Sequence, residues 1–197
     1  PPWHNQNDTP VKSSYFGIVD TAGIPKNDYY LYQSQWLDLD QHPMVHILPH
    51  WNWEIHKSYQ QVVDKCGDIP VRVYSNAGSV ELFLNGKSQG RKNFQEKWTS
   101  DGRKYQEGAS SEQLYLEWRL AYQPGELHAV AYDYQGQLVA EDRVVTAGKP
   151  AKIGLHAEKT KLEPDGQDLL YLYFDVLDKD GNWVPSASCL LYTSDAA

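Results

Sequence analysis

Apolar and polar residues alternate along the middle of the chain with the two-residue period of half-buried β-strands. Val80, Leu82 and Leu84 are each separated by one residue, so their side chains lie on one face of a strand. Asn85-Gly86 then supplies the two positive-φ residues that a type I′ hairpin turn needs. Short strands are also predicted in other segments with Gly- and Pro-containing turns between them, namely 69–77, 113–122, 126–134 and 137–147. This pattern predicts a β-sandwich over residues 49–147.

Residues 13–36 predict a single strand, a turn and a helix. Ile18 and Val19 belong to an apolar strand-like run, and residues 20–23 form a turn. Pro25 suits the first position of a helix, where its missing N–H costs nothing. Aromatic residues then recur at helical spacing as far as Trp36. One β-α unit cannot bury its own apolar faces, so residues 1–48 are expected to belong to a larger domain.

The C-terminal part of the chain predicts an incomplete domain. Residues 148–188 contain only two or three strand patterns, with a hairpin turn at Asp180-Gly181, and these are too few for a closed sandwich. The last nine residues, CLLYTSDAA, resemble the translation of a transposon adaptor used to prepare sequencing libraries. We therefore expect residues 189–197 to be non-biological, which leaves Cys66 as the single native cysteine.

Composition excludes several classes of partner. The chain has 18 Lys and Arg residues against 26 Asp and Glu residues, a formal net charge of −8, and it has no basic run. A nucleic-acid partner is therefore not expected. No stretch approaches the roughly 20 apolar residues of a membrane helix, so no membrane partner is expected either. The first ten residues do not read as a signal peptide.

Several stretches in a fixed order resemble glycoside hydrolase family 2, especially its β-galactosidase-type members. Residues 13–36, SSYFGIVDTAGIPKNDYYLYQSQW, resemble the last strand, turn and helix of that family's (β/α)8 catalytic barrel. Residues 46–53 and 71–91 resemble the linker and the Ig-like domain that follow the barrel. Residues 150–185 resemble the start of a further Ig-like domain.

This resemblance implies a mainly β fold with three parts. Residues 1–48 would form the last β-α unit of the (β/α)8 barrel, and residues 49–147 a complete Ig-like β-sandwich. Residues 148–188 would begin a second, truncated Ig-like sandwich. The chain is then expected to be a fragment of a longer protein.

The activity that the resemblance implies is that of a retaining exo-glycosidase. In this chemistry one carboxylate attacks the anomeric carbon and a second protonates the leaving oxygen, with the two carboxyl groups about 5–5.5 Å apart. In the family both are glutamates on earlier barrel strands, whereas the first glutamate here, Glu54, follows the barrel helix. The catalytic residues are expected upstream of Pro1, so the chain alone is expected to be inactive. No cofactor or metal is implied.

Three residues near the N-terminus are candidates for sugar binding, because barrel active sites form at the C-terminal ends of strands and in the loops that follow. Trp3 could stack on a pyranose or pack against a neighbouring loop. His4 could bind a hydroxyl, but an ordinary loop histidine is the favoured interpretation. Phe16 could form a wall beside the sugar, but packing inside the barrel is the favoured interpretation.

The residues before the Gly-Ile turn favour a neutral substrate. The family's glucuronidases resemble Asn-x-Lys-Gly here, with a cation placed to pair with the sugar carboxylate, whereas this chain has Ser14-Tyr15-Phe16-Gly17. A carboxylate beside an apolar wall would lose hydration without a paired charge. A neutral sugar, most simply a β-galactoside, is therefore expected.

Other clusters are interpreted as structural. His42, His46, His50 and His56 lack the convergent spacing of a zinc site, since Pro43 and Pro49 interrupt any helix. Trp51 and Trp53 are one residue apart, so we expect both side chains on the same side of a strand. They could form a carbohydrate-binding patch, but packing at a domain interface is the favoured interpretation. We expect a solvated hairpin face to carry Lys87, Arg91 and Lys92. We interpret residues 178–182 as a hairpin turn rather than a calcium loop.

A non-enzymatic carbohydrate-binding or adhesive β-sandwich protein is the competing interpretation. The β-α unit before the sandwich argues against it, because a binding module has no need of one. A secreted or periplasmic location suits a multi-sandwich glycosidase. The sequence does not indicate an oligomeric state.

Overall fold

The alternation along the middle of the chain does form strands. The computed structural model describes residues 17–20, 23–53, 67–185 and 187, and the predicted mainly β fold is confirmed. The described elements are one helix and ten strands: α1 Asn27–Trp36, β1 Val45–Leu48, β2 Asp68–Ser75, β3 Ser79–Leu84, β4 Lys87–Trp98, β5 Lys104–Gly108, β6 Leu116–Ala121, β7 Glu126–Tyr132, β8 Leu138–Val145, β9 Lys152–Ala157 and β10 Leu172–Leu177.

Two sheets form a β-sandwich. One has the strand order β5-β4-β3-β7-β8 and the other the order β1-β2-β6. Alternate apolar side chains of β2 and β3 are fully buried, among them Val71, Val73, Val80 and Leu82. Burial of each such side chain stabilises the fold by about 1.5–3 kcal/mol, so the period-two pattern supplies the core.

The predicted hairpin between β3 and β4 is confirmed. Asn85 and Gly86 have φ angles of 51° and 77°, and Leu84 pairs with Lys87 across the two-residue turn. Positive φ at both positions matches the turn to the right-handed twist of the strands. The turn therefore sets the register of the two residue pairs next to it, and a bulge between Glu81 and Phe83 shifts the register of the pairs beyond.

The predicted β-α unit is confirmed at its helix but differs at its start. Pro25 forms an isolated bridge with Val19, and the helix begins at Asn27 after an extended Lys26. The carboxylate of Asp20 accepts a hydrogen bond from the Ile24 N–H at 2.8 Å, which closes a hairpin before the helix. The expectation that Pro25 occupies the first helical position is therefore wrong. None of the helices in the described residues is long and apolar enough to cross a membrane.

The strand β5 is not predicted by the sequence pattern. Its residues Gln106 and Glu107 are polar yet buried, because their partners lie on neighbouring elements. Glu107 accepts hydrogen bonds from Lys97 at 2.8 Å and from Gln95 at 3.0 Å, both on β4. The hydrogen bond from Lys97 lowers the pKa of the Glu107 carboxyl below its usual value. A strand buried through polar pairing shows no apolar alternation.

The described chain divides into two compact units. The first contains the described residues of 1–49, 71–118 and 128–143, and the second those of 50–70, 119–127 and 144–197. The domain boundaries expected from the resemblance, at residues 48, 147 and 188, remain a prediction.

In the second unit, β9 and β10 form a two-stranded antiparallel sheet that is followed by the predicted turn at Asp180-Gly181. Gly181 has φ 94°. The Asp178 carboxylate accepts hydrogen bonds from the N–H groups of Gly148, Asp180 and Asn182 at 2.8–2.9 Å. These bonds favour its charged form and lower its pKa far below the ordinary value. Asp178 thus ties the segment before β9 to the turn after β10.

Candidate functional site

The three residues predicted to contact sugar, Trp3, His4 and Phe16, lie outside the described residues. The same holds for Glu54, Cys66 and His56. Their predicted roles remain predictions. The candidate site described below is instead built from residues that sequence analysis did not select.

An open groove lies at the C-terminal end of α1 in the first unit. We call it the helix-end groove, and its volume is about 430 Å³, within the roughly 300–1,000 Å³ range of small-molecule sites. Its walls come from the helix end and the segment after it, from β4 and β5, and from the turn between β7 and β8. The lining residues are 35–40, Asn76, Glu96, 104–106 and Tyr134.

Reciprocal hydrogen bonds attach the helix to β5 at this groove. The Gln35 side-chain amide donates to the Gln106 carbonyl at 3.2 Å, and its Oε1 accepts from the Gln106 N–H at 2.9 Å. The side-chain Nε2 of Gln106 in turn donates to the Ala77 carbonyl at 3.2 Å and to the Tyr134 hydroxyl at 2.6 Å. These contacts fix both the helix end and the Tyr134 ring, so the groove walls are pre-organised.

Buried Asn76 holds the segment after the helix. Its Oδ1 accepts from the Met44 N–H at 2.9 Å, and its Nδ2 donates to the carbonyls of Leu37 and His42 at 3.2 and 2.9 Å. Three backbone groups of an irregular segment are thereby satisfied by one side chain. This clasp sets the path of residues 37–44 along the groove.

The exposed side chains of the groove combine aromatic rings with charges. Trp36 is 73% exposed and Tyr134 50% exposed. Lys104 forms an ion pair with Glu96, and hydrogen bonding to Glu96 raises the pKa of Lys104. Desolvation raises the pKa of the Tyr134 phenol from its ordinary value. Ring faces beside fixed polar groups are suited to binding a small polar molecule.

The sequence pattern at this groove does not predict its structure. In the stretch WLDLD, residues 36–40, exposed Trp36, Asp38 and Asp40 alternate with partly buried Leu37 and Leu39. Such alternation is typical of an extended segment, whereas Trp36 ends α1 and the His42 N–H donates to the Asp38 carbonyl at 2.9 Å in a turn. No local signal marks Gln106 or Asn76, whose burial depends on distant partners.

The histidines predicted not to bind metal have other contacts where they are described. The His46 ring stacks on Tyr30 with centroids 3.7 Å apart, and its Nδ1 lies 3.7 Å from Asp142 Oδ2. His50 stacks on Trp53 at 4.6 Å. Within the described ranges, no group of three or more His, Cys, Asp or Glu side chains is arranged to hold a metal ion.

The stability of the protein is expected to fall as the pH falls through about 6.5. Burial lowers the pKa of His46, and this effect exceeds the opposing influence of Asp142. Below the ordinary histidine pKa of about 6.5, the unfolded state therefore binds more protons at this residue than the folded state does. His46→Gln should reduce the loss measured by urea unfolding between about pH 7.5 and pH 5.5.

His42→Gln is the matched control for that measurement, because His42 is exposed. It should leave the pH dependence unchanged. An equal change in both variants would contradict the assignment to His46.

The two tryptophans of the segment HWNWEIH are buried rather than exposed. Trp51 is fully buried and Trp53 is 4% exposed, and Asn52 between them is 2% exposed. They lie in an irregular segment, so the expectation that both occupy one side of a strand is wrong. Asn52 is buried because its side chain pairs with the backbone of Ala147, at 3.0 Å to the N–H. Buried rings at these positions exclude a surface carbohydrate patch and agree with packing.

The predicted solvated face at residues 87–92 is only partly correct. Lys87 and Arg91 are exposed, although the Arg91 guanidinium also lies 3.9 Å from the centre of the Tyr132 ring and donates to Ser79 Oγ. Lys92 lies 5.1 Å from the centre of the Trp118 ring. Cation–π contacts of this kind give the two cations structural roles.

Comparison with known sequences gives one family model and several relatives. The model of the "Domain of unknown function (DUF4982)" matches residues 67–140. Beta-galactosidase BoGH2A of Bacteroides ovatus is 41% identical over 182 residues, covering 92% of this chain and 18% of that protein. A protein of Formosa agariphila named "Putative beta-glucuronidase" is 35% identical over 176 residues, covering 89% of this chain and 15% of that protein.

The solved structures that this chain resembles also include glycosidases. A beta-glycosidase from Bacteroides vulgatus matches 89% of this chain with a TM-score of 0.68 and 34% identity, and the match is 19% of that chain. A glycosyl hydrolase family 2 member from Bacteroides cellulosilyticus matches 85% of this chain with a TM-score of 0.62 and 30% identity, and the match is 22% of that chain. The chain therefore spans less than a quarter of the length of each of these proteins.

Proposed function

We propose that this chain, whose relatives and structural neighbours are glycoside hydrolase family 2 proteins, is part of a longer retaining exo-glycosidase. The observation that carries the proposal is the 41% identity with a beta-galactosidase along 92% of the chain. A match of that extent covers the β-α unit, the sandwich and the hairpin of the second unit together. Such continuity supports a shared architecture rather than one shared module.

A neutral terminal sugar, most simply a β-galactoside, is the proposed substrate. The relatives include proteins named for both galactosides and glucuronides, so the names alone do not decide. At the place where the family's glucuronidases have Asn-x-Lys-Gly, this chain has Ser14-Tyr15-Phe16-Gly17 and so lacks the Asn and the Lys. Without a paired cation, a uronate carboxylate loses hydration at a cost of several kcal/mol.

The proposed role of the chain itself is structural. Its sandwich would brace a catalytic barrel whose last β-α unit is residues 1–48 and whose earlier strands carry both catalytic glutamates. A retaining mechanism needs two carboxyl groups about 5–5.5 Å apart, one as nucleophile and one as acid. The proposal places both outside the chain.

We expect the purified chain, residues 1–197, to show no hydrolysis of 4-nitrophenyl β-galactoside, whereas the longer protein encoded by its gene hydrolyses it. The kcat/KM of the longer protein for the galactoside should exceed that for the glucuronide by at least about 100-fold, or about 2.7 kcal/mol of transition-state free energy. Release of nitrophenol measures both quantities.

Circular dichroism of the chain is the control, because a β-sheet spectrum shows that inactivity is not due to unfolding. Turnover by the chain alone would contradict the placement of the glutamates. A preference of the longer protein for the glucuronide would contradict the neutral substrate, and inactivity on both would favour a binding module instead.

A further inference from the structure

We propose that the helix-end groove binds a neutral saccharide. This inference goes beyond hydrolysis, because it assigns a binding site to residues of this chain itself. It depends on the side chains that line the groove and not on the proposed catalytic activity.

The aromatic side chains supply the apolar part of the recognition. Trp36 is 73% exposed at the end of α1, and its ring is supported at the side by Tyr32, with centroids 4.8 Å apart. Tyr134, which is half exposed, also lines the groove. A pyranose presents C–H groups on one face. Covering an exposed indole ring with such a face removes apolar surface from water and so stabilises the complex.

Hydroxyl groups of a saccharide would meet carboxylate acceptors, of which one is held in place. The carboxylates of Asp38 and Asp40 are exposed along the groove, and an ionised carboxylate accepts several hydrogen bonds. The Asp38 carboxylate is held in place by the Asp40 N–H, which donates to its Oδ1 at 2.9 Å. Acceptors that are already positioned lose little conformational entropy on binding.

The charged side chains that line the groove favour binding of a neutral saccharide over an acidic one. Its lining contains three carboxylates, those of Asp38, Asp40 and Glu96, and one ammonium group, that of Lys104. Lys104 is already paired with Glu96, so it is not available as an unshared partner. A uronate would bring another negative charge to a surface of the same sign, which disfavours its binding.

The test is isothermal titration calorimetry of the full chain, residues 1–197, with lactose and with glucuronic acid. We expect lactose to bind with a Kd of about 1 mM, and glucuronic acid at least about tenfold more weakly. Trp36→Ala should weaken lactose binding at least about tenfold, while Trp36→Phe, which keeps a ring, should weaken it less.

Trp98→Ala is the matched control. Trp98 is also a tryptophan of the first unit, 62% exposed, but it does not line the groove, so its loss should leave the Kd unchanged. Thermal unfolding of each variant checks that the fold is retained. Transfer of saturation from protein rings to lactose in NMR provides a second readout, which Trp36→Phe should preserve.

Three results would overturn the inference: no heat and no saturation transfer with lactose, tighter binding of glucuronic acid, or equal effects of Trp36→Ala and Trp98→Ala. Failure here is distinguishable from failure of the proposed function. If the longer protein cleaves β-galactosides but this chain does not bind lactose, only the proposed groove site is contradicted. If this chain binds lactose but the longer protein is inactive, only the proposed hydrolase activity is contradicted.

Discussion

Replacing Trp51 with alanine is expected to lower the free energy of unfolding by about 4 kcal/mol. The Trp51 ring is fully buried, and it contacts Tyr122 edge-on with centroids 5.3 Å apart. Its Nε1 donates a hydrogen bond to the Gln123 carbonyl at 2.9 Å. Alanine would leave a cavity in the second unit and remove the donor of this hydrogen bond. Urea unfolding followed by circular dichroism measures the loss.

Trp51→Phe and Trp98→Ala provide the comparison. Phenylalanine keeps much of the buried volume but loses the bond to Gln123, so an intermediate loss is expected. Trp98→Ala removes the same side chain from an exposed position and should change stability by less than about 0.5 kcal/mol. A loss below about 1 kcal/mol for Trp51→Ala would refute its assignment to a packed core.

Asn76→Ala is expected to lower the free energy of unfolding by about 3 kcal/mol. Its side chain makes three hydrogen bonds to the backbone of residues 37–44 and is 6% exposed. Alanine would remove the hydrogen-bond partner of one N–H and two carbonyls, and each of these groups costs about 1–3 kcal/mol if water does not replace the bond. Denaturant unfolding measures the total loss.

The matched control is Asn93→Ala, since Asn93 is an exposed asparagine on β4. It should be nearly neutral. Hydrogen exchange locates the Asn76 effect, because the Met44 N–H should lose protection in Asn76→Ala and keep it in Asn93→Ala. Unchanged protection at Met44 would show that the clasp does not hold this segment.

The sequence motifs also identified the relatives. The resemblance to glycoside hydrolase family 2 rested on several stretches in order, and it is confirmed by a relative that matches 92% of the chain. The mainly β fold is confirmed as well. The order of the motifs identifies the family here because each motif encodes a local structure with narrow sequence requirements, such as the Gly-Ile turn.

The helix-end groove could not be predicted in the same way. Its floor contains Gln106 and Asn76, two buried amides whose partners lie up to 71 residues away along the chain, as for Gln35 and Gln106. An amide residue is ordinarily exposed, so composition and periodicity place both on the surface.

Local pattern by itself determined the strands β2, β3, β6, β7 and β8, the Asn85-Gly86 turn and the helix after Pro25. Side-chain alternation, positive φ and helical spacing are properties of adjacent residues, so no distant contact is needed to read them. The tertiary structure alone decided that β5 is a strand, that Trp51 is core, and that Arg91 packs on Tyr132. Polar and amphipathic side chains are stable either in water or against a matched partner, and only the fold brings that partner within reach.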